Sequence, residues 1–185
     1  MVKNSWDSFT VMSFSLFNPY TADIRTAPID WLYRRMRLQE IDNMIAQKDP
    51  EILIFQDLMK QKNNNFNSDS GILSAGSLKE YRWIHSFVKT HPNEQQEYLS
   101  VAFRHPFNKS PNSSSSSSNS SWKMGEDGSL SYSQVQIEGQ DVLIININMP
   151  EDSGDASHWY EFINNRLSGV EESTKICRKR WIIAG

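Results

Sequence analysis

The sequence predicts an α/β domain, and three observations carry that expectation. Residues 51–57 (EILIFQD), 141–148 (DVLIININ) and 180–185 (RWIIAG) are short, almost continuously apolar runs, the pattern of strands covered on both faces. Between the N-terminal strand and the first of these runs, Leu38, Ile41 and Ile45 recur at helical spacing, so the order begins strand, helix, strand. A chain of 185 residues that is 38% hydrophobic, with six Trp and nine Phe, can fill the core of one domain.

Taken in order, FTVMSFSLF suits a buried strand ending near Phe17, and the NPYTAD that follows is turn chemistry. A helix runs from Trp31, with Asp30 as its N-cap and Asp49-Pro50 as its stop. Residues 62–69 are Asn-rich and read as a loop. YRWIHSFV and YLSVAFR read as two strands, antiparallel to each other. The run SPNSSSSSSNSS, residues 110–121, cannot bury enough apolar area to order itself and is expected to be a flexible surface insertion. YSQVQI and DVLIININ are strands separated by Glu138-Gly139-Gln140. A polar loop, EDSGDAS, then leads to a helix with Trp159, Phe162, Ile163 and Leu167 on one face. RWIIAG closes the chain as a strand.

Charge and cysteine content narrow the function classes. The formal net charge is −3, and the basic residues are scattered apart from Lys175, Arg178, Lys179 and Arg180, which argues against nucleic acid as a partner. That basic run reads as a solvated turn before a strand. Cys177 is the sole cysteine, so neither an intramolecular disulfide nor a cysteine-built zinc site is available. The N-terminus has no secretory apolar core and the chain has no membrane span, so a cytoplasmic location is expected.

Five fragments in order, VMSFSLFN, Trp31 with Arg34 at the head of a helix, DPEILIFQD, VLIININMP and RWIIAG, resemble the endonuclease/exonuclease/phosphatase (DNase I-like) family. Its members begin with a strand of the type (V/I)-(L/M)-(S/T)-(F/Y)-N and a helix opened by W-x-x-R. They continue to D-(I/V)-(I/L)-x-(L/F)-Q-E, then to a strand ending N-T-H-L and another reading (I/L)-(I/L)-x-G-D-F-N. The resemblance implies a four-layered α/β sandwich, two facing sheets with helices outside. It also implies Mg²⁺-dependent attack of water on a phosphoester at one end of the sheets. Against that pattern, residues 1–185 form a single truncated domain with its C-terminal strands missing.

The same resemblance implies altered site positions. Ser15 stands where the family has the Asn of the first strand. Asp57 stands for the metal-binding Glu of the Q-E pair, one methylene shorter, which makes it a weakened metal position. Asn148 stands for the His of N-T-H-L and cannot titrate near neutrality. Arg34 lies on the helical stripe with Trp31 and Leu38, where it supports the site, or else snorkels or pairs with a buried carboxylate. Asp69, His85, His91, His105, Asp152, Asp155 and His158 are candidates by residue type. They read as solvated positions, with Asp155 or Ser157 as a helix N-cap.

Two functional readings follow. One is a degenerate domain without efficient phosphoesterase activity, kept for binding or interaction. The other is an active Mg²⁺-dependent phosphoesterase or nuclease completed by a longer chain or by a partner. An open sheet edge makes homodimerisation an expected partner mode.

Overall fold

The computed structural model describes residues 9–16, 39–61, 78, 81–90, 95–104, 108–109, 119–123, 129–137, 140–148 and 156–185. They form two sheets with helices on the outer faces. In chain order the elements are β1 (Val11–Ser15), helical residues 39–48 (α1), β2 (Ile52–Gln61), β3 (Arg82–Thr90), β4 (Gln95–Phe103), β5 (Asn108–Lys109), β6 (Asn119–Lys123), β7 (Ser129–Ile137), β8 (Gln140–Asn148), α2 (Ala156–Thr174) and β9 (Trp181–Ala184).

The first sheet has the order β1-β2-β4-β3, and the second runs β5-β7-β8-β9 with β6 also on β7. β1 is parallel to β2 and β8 to β9, while the β2/β4, β3/β4 and β7/β8 pairs are antiparallel. Alternation along each strand divides the apolar side chains between an inter-sheet core and the outer faces. Ile52, Ile54, Val101 and Phe103 of the first sheet meet Val135 and Ile144 of the second. On the outer face of the first sheet, Leu53, Phe55 and Leu58 receive Ile41 and Ile45 of α1. On the outer face of the second, Leu143, Ile145 and Ile147 receive Leu167 and Val170 of α2. Four layers result, because each sheet is apolar on both faces. Burying each such side chain contributes about 1.5–3 kcal/mol.

The expected helix stop holds. Helical residues run to 48, and Asp49 turns left-handed at φ 48°. Its N–H still donates to the Ile45 carbonyl at 2.8 Å before Pro50 ends the run. Arg104 then ties this corner to β4, donating from Nη1 to Asp49 Oδ1 at 2.5 Å. The start of the helix, including Asp30, Trp31 and Arg34, lies outside the described residues, as does the predicted loop 62–69.

Several boundaries differ from the sequence reading. β1 ends at Ser15, two residues early, and β2 runs on to Gln61 because β4 continues to pair with it as far as Gln95. Residues 119–121, expected to belong to a flexible Ser-rich insertion, form the first part of β6. Their backbone pairs with Ser131–Ser133 of β7, and a Ser-rich strand can pair through main-chain groups alone. Residues 110–118 lie outside the described residues. Ser157, one of two expected N-caps, lies inside α2, and Asp155 is not described.

At the other end of α2, Lys175 adopts φ 58° and its N–H donates to the Glu171 carbonyl at 3.0 Å, a left-handed helix terminus. The basic run that follows forms a 3-10 turn, Arg178–Arg180. Arg178 Nε donates to Glu171 Oε2 at 2.8 Å, and its guanidinium lies 5.5 Å from the centre of the Trp181 ring. The expected solvated turn is therefore partly stapled to α2 and β9.

Candidate functional site

β2 is interrupted where the site forms. Its pairing with β4 passes from Phe55↔Ser100 directly to Leu58↔Tyr98, so Gln56 and Asp57 form a bulge. Asp57 sits at φ 57°, a conformation that costs energy for a side-chain-bearing residue, although Asp tolerates it better than most. The bulge brings the Asp57 carboxylate to the end of the inter-sheet space, where it is 8% exposed.

Alternation along β1 and β8 then brings the partners in. Ser13 and Ser15 alternate with Met12 and Phe14, which pack on the outer face of the first sheet. Asn146 and Asn148 alternate with the outward Ile145 and Ile147. Ser15 Oγ donates to Asp57 Oδ2 at 3.1 Å, and Asn148 Nδ2 donates to Asp57 Oδ1 at 2.7 Å. The three positions singled out from the sequence therefore meet, although they come from three strands in two sheets.

A second set of bonds holds this arrangement from beneath. Gln56 Nε2 donates to Asn146 Oδ1 at 2.7 Å and to Ser13 Oγ at 3.2 Å. Asn146 Nδ2 donates to the Phe55 carbonyl at 2.9 Å and to the Ser100 carbonyl at 3.4 Å. Asn146 is fully buried and Gln56 is 2% exposed. Asn146 thus spans the sheets and satisfies the Phe55 carbonyl at the point where the bulge breaks the ladder. Sequence reasoning passed over both residues. The available signal was a polar amide in the middle of an otherwise apolar strand, which burial makes costly unless it is bonded.

The remaining candidates do not join the site within the described residues. His85 points to the outer face of the first sheet, its ring stacked on Trp83 with centroids 5.5 Å apart and Nδ1 2.8 Å from Ser100 Oγ. Trp83 itself stacks on Phe55 and packs with the outer cluster, as a core residue does. Arg34, Asp69, His91, His105, Asp152 and Asp155 lie outside the described residues, and nothing is described of the His158 side chain. Among the described residues there is no group of three or more His, Cys, Asp or Glu that could hold a metal ion. No helix among them is long and apolar enough to cross a membrane.

β9 ends beside this site. Gly185 lies so close to β8 that an added Cβ would stand 2.6 Å from the Ile147 carbonyl oxygen, so that contact admits only glycine without a shift.

The two facing sheets, the outer helices and the polar cluster at one end of the strands are the arrangement of an endonuclease/exonuclease/phosphatase, or DNase I-like, fold. Solved structures bear this out. A mannosyl-6-phosphatase of Bacteroides thetaiotaomicron is similar with a TM-score of 0.60 at 14% identity, over 91% of this chain and 62% of its own. The human Nocturnin catalytic domain with a bound sulfate anion gives 0.58 at 13% identity, over 91% and 60%. D. rerio TDP2 in complex with a single-strand DNA product gives 0.55 at 10% identity, over 95% and 58%. The chain therefore spans about three-fifths of the length of these structures. No family model matches the sequence, and no curated protein matches it.

Proposed function

We propose that residues 1–185 form a single DNase I-like domain whose phosphoester-cleaving site has become a hydrogen-bonded polar junction. In this reading the domain lacks efficient phosphoesterase turnover, is kept for binding or interaction, and resides in the cytoplasm. The observation that carries it is the state of Asp57: both of its carboxylate oxygens accept hydrogen bonds, from Ser15 and from Asn148.

Hydrolysis of a phosphoester on this fold needs a cation, neutral or positive donors on the phosphoryl oxygens, and a base for the water. Mg²⁺ takes oxygen ligands at about 2.0–2.1 Å in near-octahedral geometry. Here the described donor set offers one carboxylate, already engaged on both oxygens, and the groups that engage it are neutral. That set does not suit Mg²⁺. Asn148 donates a hydrogen bond but has no proton to exchange near neutrality, so it replaces an electrostatic clamp with a weaker dipole. Removing one transition-state donor commonly costs about 10²–10³ in rate, and groups that act as a unit lose most activity together.

One observation supports a second reading. Because the chain spans about three-fifths of the matched structures, further catalytic groups could come from a longer protein or a partner, giving an active metal-dependent phosphoesterase. A hydrolysis assay separates the two. With bis-p-nitrophenyl phosphate and Mg²⁺ or Mn²⁺, the 185-residue chain is expected to show no turnover above background, both alone and within the full product of its reading frame. Metal-dependent turnover that disappears in Asp57→Ala would overturn the first reading and favour the second.

A further inference from the structure

Ser15 ends β1 and is exposed, while Asp57, which accepts its hydroxyl proton, is buried. Ser15 Oγ lies 3.1 Å from Asp57 Oδ2, and Asn148 Nδ2 holds the other carboxylate oxygen at 2.7 Å. An exposed hydroxyl, a base within hydrogen-bond reach of it and a third group that orients the base are the parts of an activated nucleophile.

The surrounding framework holds these parts in place. Ser15 pairs in register with Gln56, so β1 delivers the hydroxyl beside the bulge. Asp57 keeps φ 57°, where an L side chain is strained, and strain of this kind collects at reacting groups. Ser13 lies two residues before Ser15 on the same face of β1 and is exposed as well. Its Oγ accepts from Gln56 Nε2 at 3.2 Å. Accepting leaves the Ser13 hydroxyl proton for another oxygen, as the negative oxygen of an acyl-transfer intermediate requires.

Charge selects the electrophile. The two groups bonded to the Asp57 carboxylate are neutral, so a phosphoester would bring a second negative charge against it, whereas a carboxylic ester brings none. We propose that Ser15 is the nucleophile, and Asp57 the general base, of an acyl-transfer site for neutral carboxylic esters. This activity is separate from phosphoester cleavage and does not depend on its loss. Ser15 Oγ attacks the carbonyl carbon as its proton passes to Asp57 Oδ2. The bond from that carbon to the alcohol oxygen then breaks, and the alcohol leaves with the proton from Asp57. Water attacks the acyl carbon next and gives a proton to Asp57. The bond to Ser15 breaks, the acid departs, and Ser15 regains its proton from Asp57.

Brief exposure of the 185-residue chain to p-nitrophenyl acetate, followed by peptide mass spectrometry, tests this directly. An acetyl group on Ser15 is expected, together with a burst of nitrophenol stoichiometric with the chain. Asp57→Asn keeps the side-chain shape but removes the base, and slows acylation of Ser15 by about 10²-fold or more. Ser13→Ala removes the donor to the developing negative oxygen and slows it by about 10²-fold. Ser15→Ala abolishes the burst, and circular dichroism checks that each variant is folded. Should Ser15→Ala not fold, Ser15→Cys serves in its place and carries the acetyl group as a hydroxylamine-labile thioester. Acetyl groups confined to lysines or to other side chains overturn the proposal. Acylation of Ser15 at an unchanged rate in Asp57→Asn or in Ser13→Ala overturns it too.

Discussion

Asn146 shows how much one amide can hold. It is fully buried, accepts from Gln56 and donates to the carbonyls of Phe55 and Ser100, so it joins β8 to β2 and β4 at the base of the site. Asn146→Ala leaves the Gln56 amide and the Phe55 carbonyl short of partners, at about 1–3 kcal/mol for each buried group orphaned. Urea denaturation should place the variant at least that far below the parent in stability, and a loss under about 0.5 kcal/mol, ordinary for a surface change, would contradict the role. Asp57 invites a different comparison. Its φ of 57° disfavours any Cβ-bearing residue, so Asp57→Gly should be more stable than Asp57→Ala by about 1 kcal/mol, both having lost the same two hydrogen bonds. Equal stabilities for the pair would mean that the bulge relaxes when the carboxylate is removed. The identities at Ser15, Asp57 and Asn148 were legible in the sequence through the family resemblance, which aligns each with a site position of a motif. Their meeting was not, since it depends on a bulge in β2 and on the juxtaposition of two sheets.

Elements were legible to the extent that their determinants are local. Asp49-Pro50 ends α1 because proline lacks an N–H and the preceding residue takes the turn, a rule that needs no tertiary information. The apolar runs at 51–57 and 141–148 became β2 and β8 for a similar reason. β6 was missed because a run of serines carries no apolar periodicity, and the pairing that orders Asn119–Lys123 comes from β7. His85 was a candidate by type, but its position in β3 sends it to the outer face, against Trp83. The end of α2 offers a local test. Lys175 holds φ 58° at the helix terminus, and Lys175→Gly should stabilise the chain by roughly 0.5–1 kcal/mol, read as a rise in melting temperature. A fall would show that the lysine side chain matters there more than its backbone.

At the scale of the molecule, the inter-sheet core and the two outer clusters make the sheets interdependent. Ile144 is fully buried in the layer between them, and Ile144→Ala should cost about 2–5 kcal/mol in denaturant unfolding. A loss below about 1 kcal/mol would mean that the sheets do not pack as a single core. The fold that results is shared with a sugar phosphatase, with Nocturnin and with TDP2, at identities that speak for architecture alone. The proposed loss of metal-dependent hydrolysis rests on one carboxylate, Asp57, whose oxygens face two neutral donors. Isothermal titration of the chain with Mg²⁺ tests that most directly: no micromolar binding is expected, and Asp57→Asn should leave the trace unchanged. Micromolar affinity that vanishes in Asp57→Asn would contradict the account.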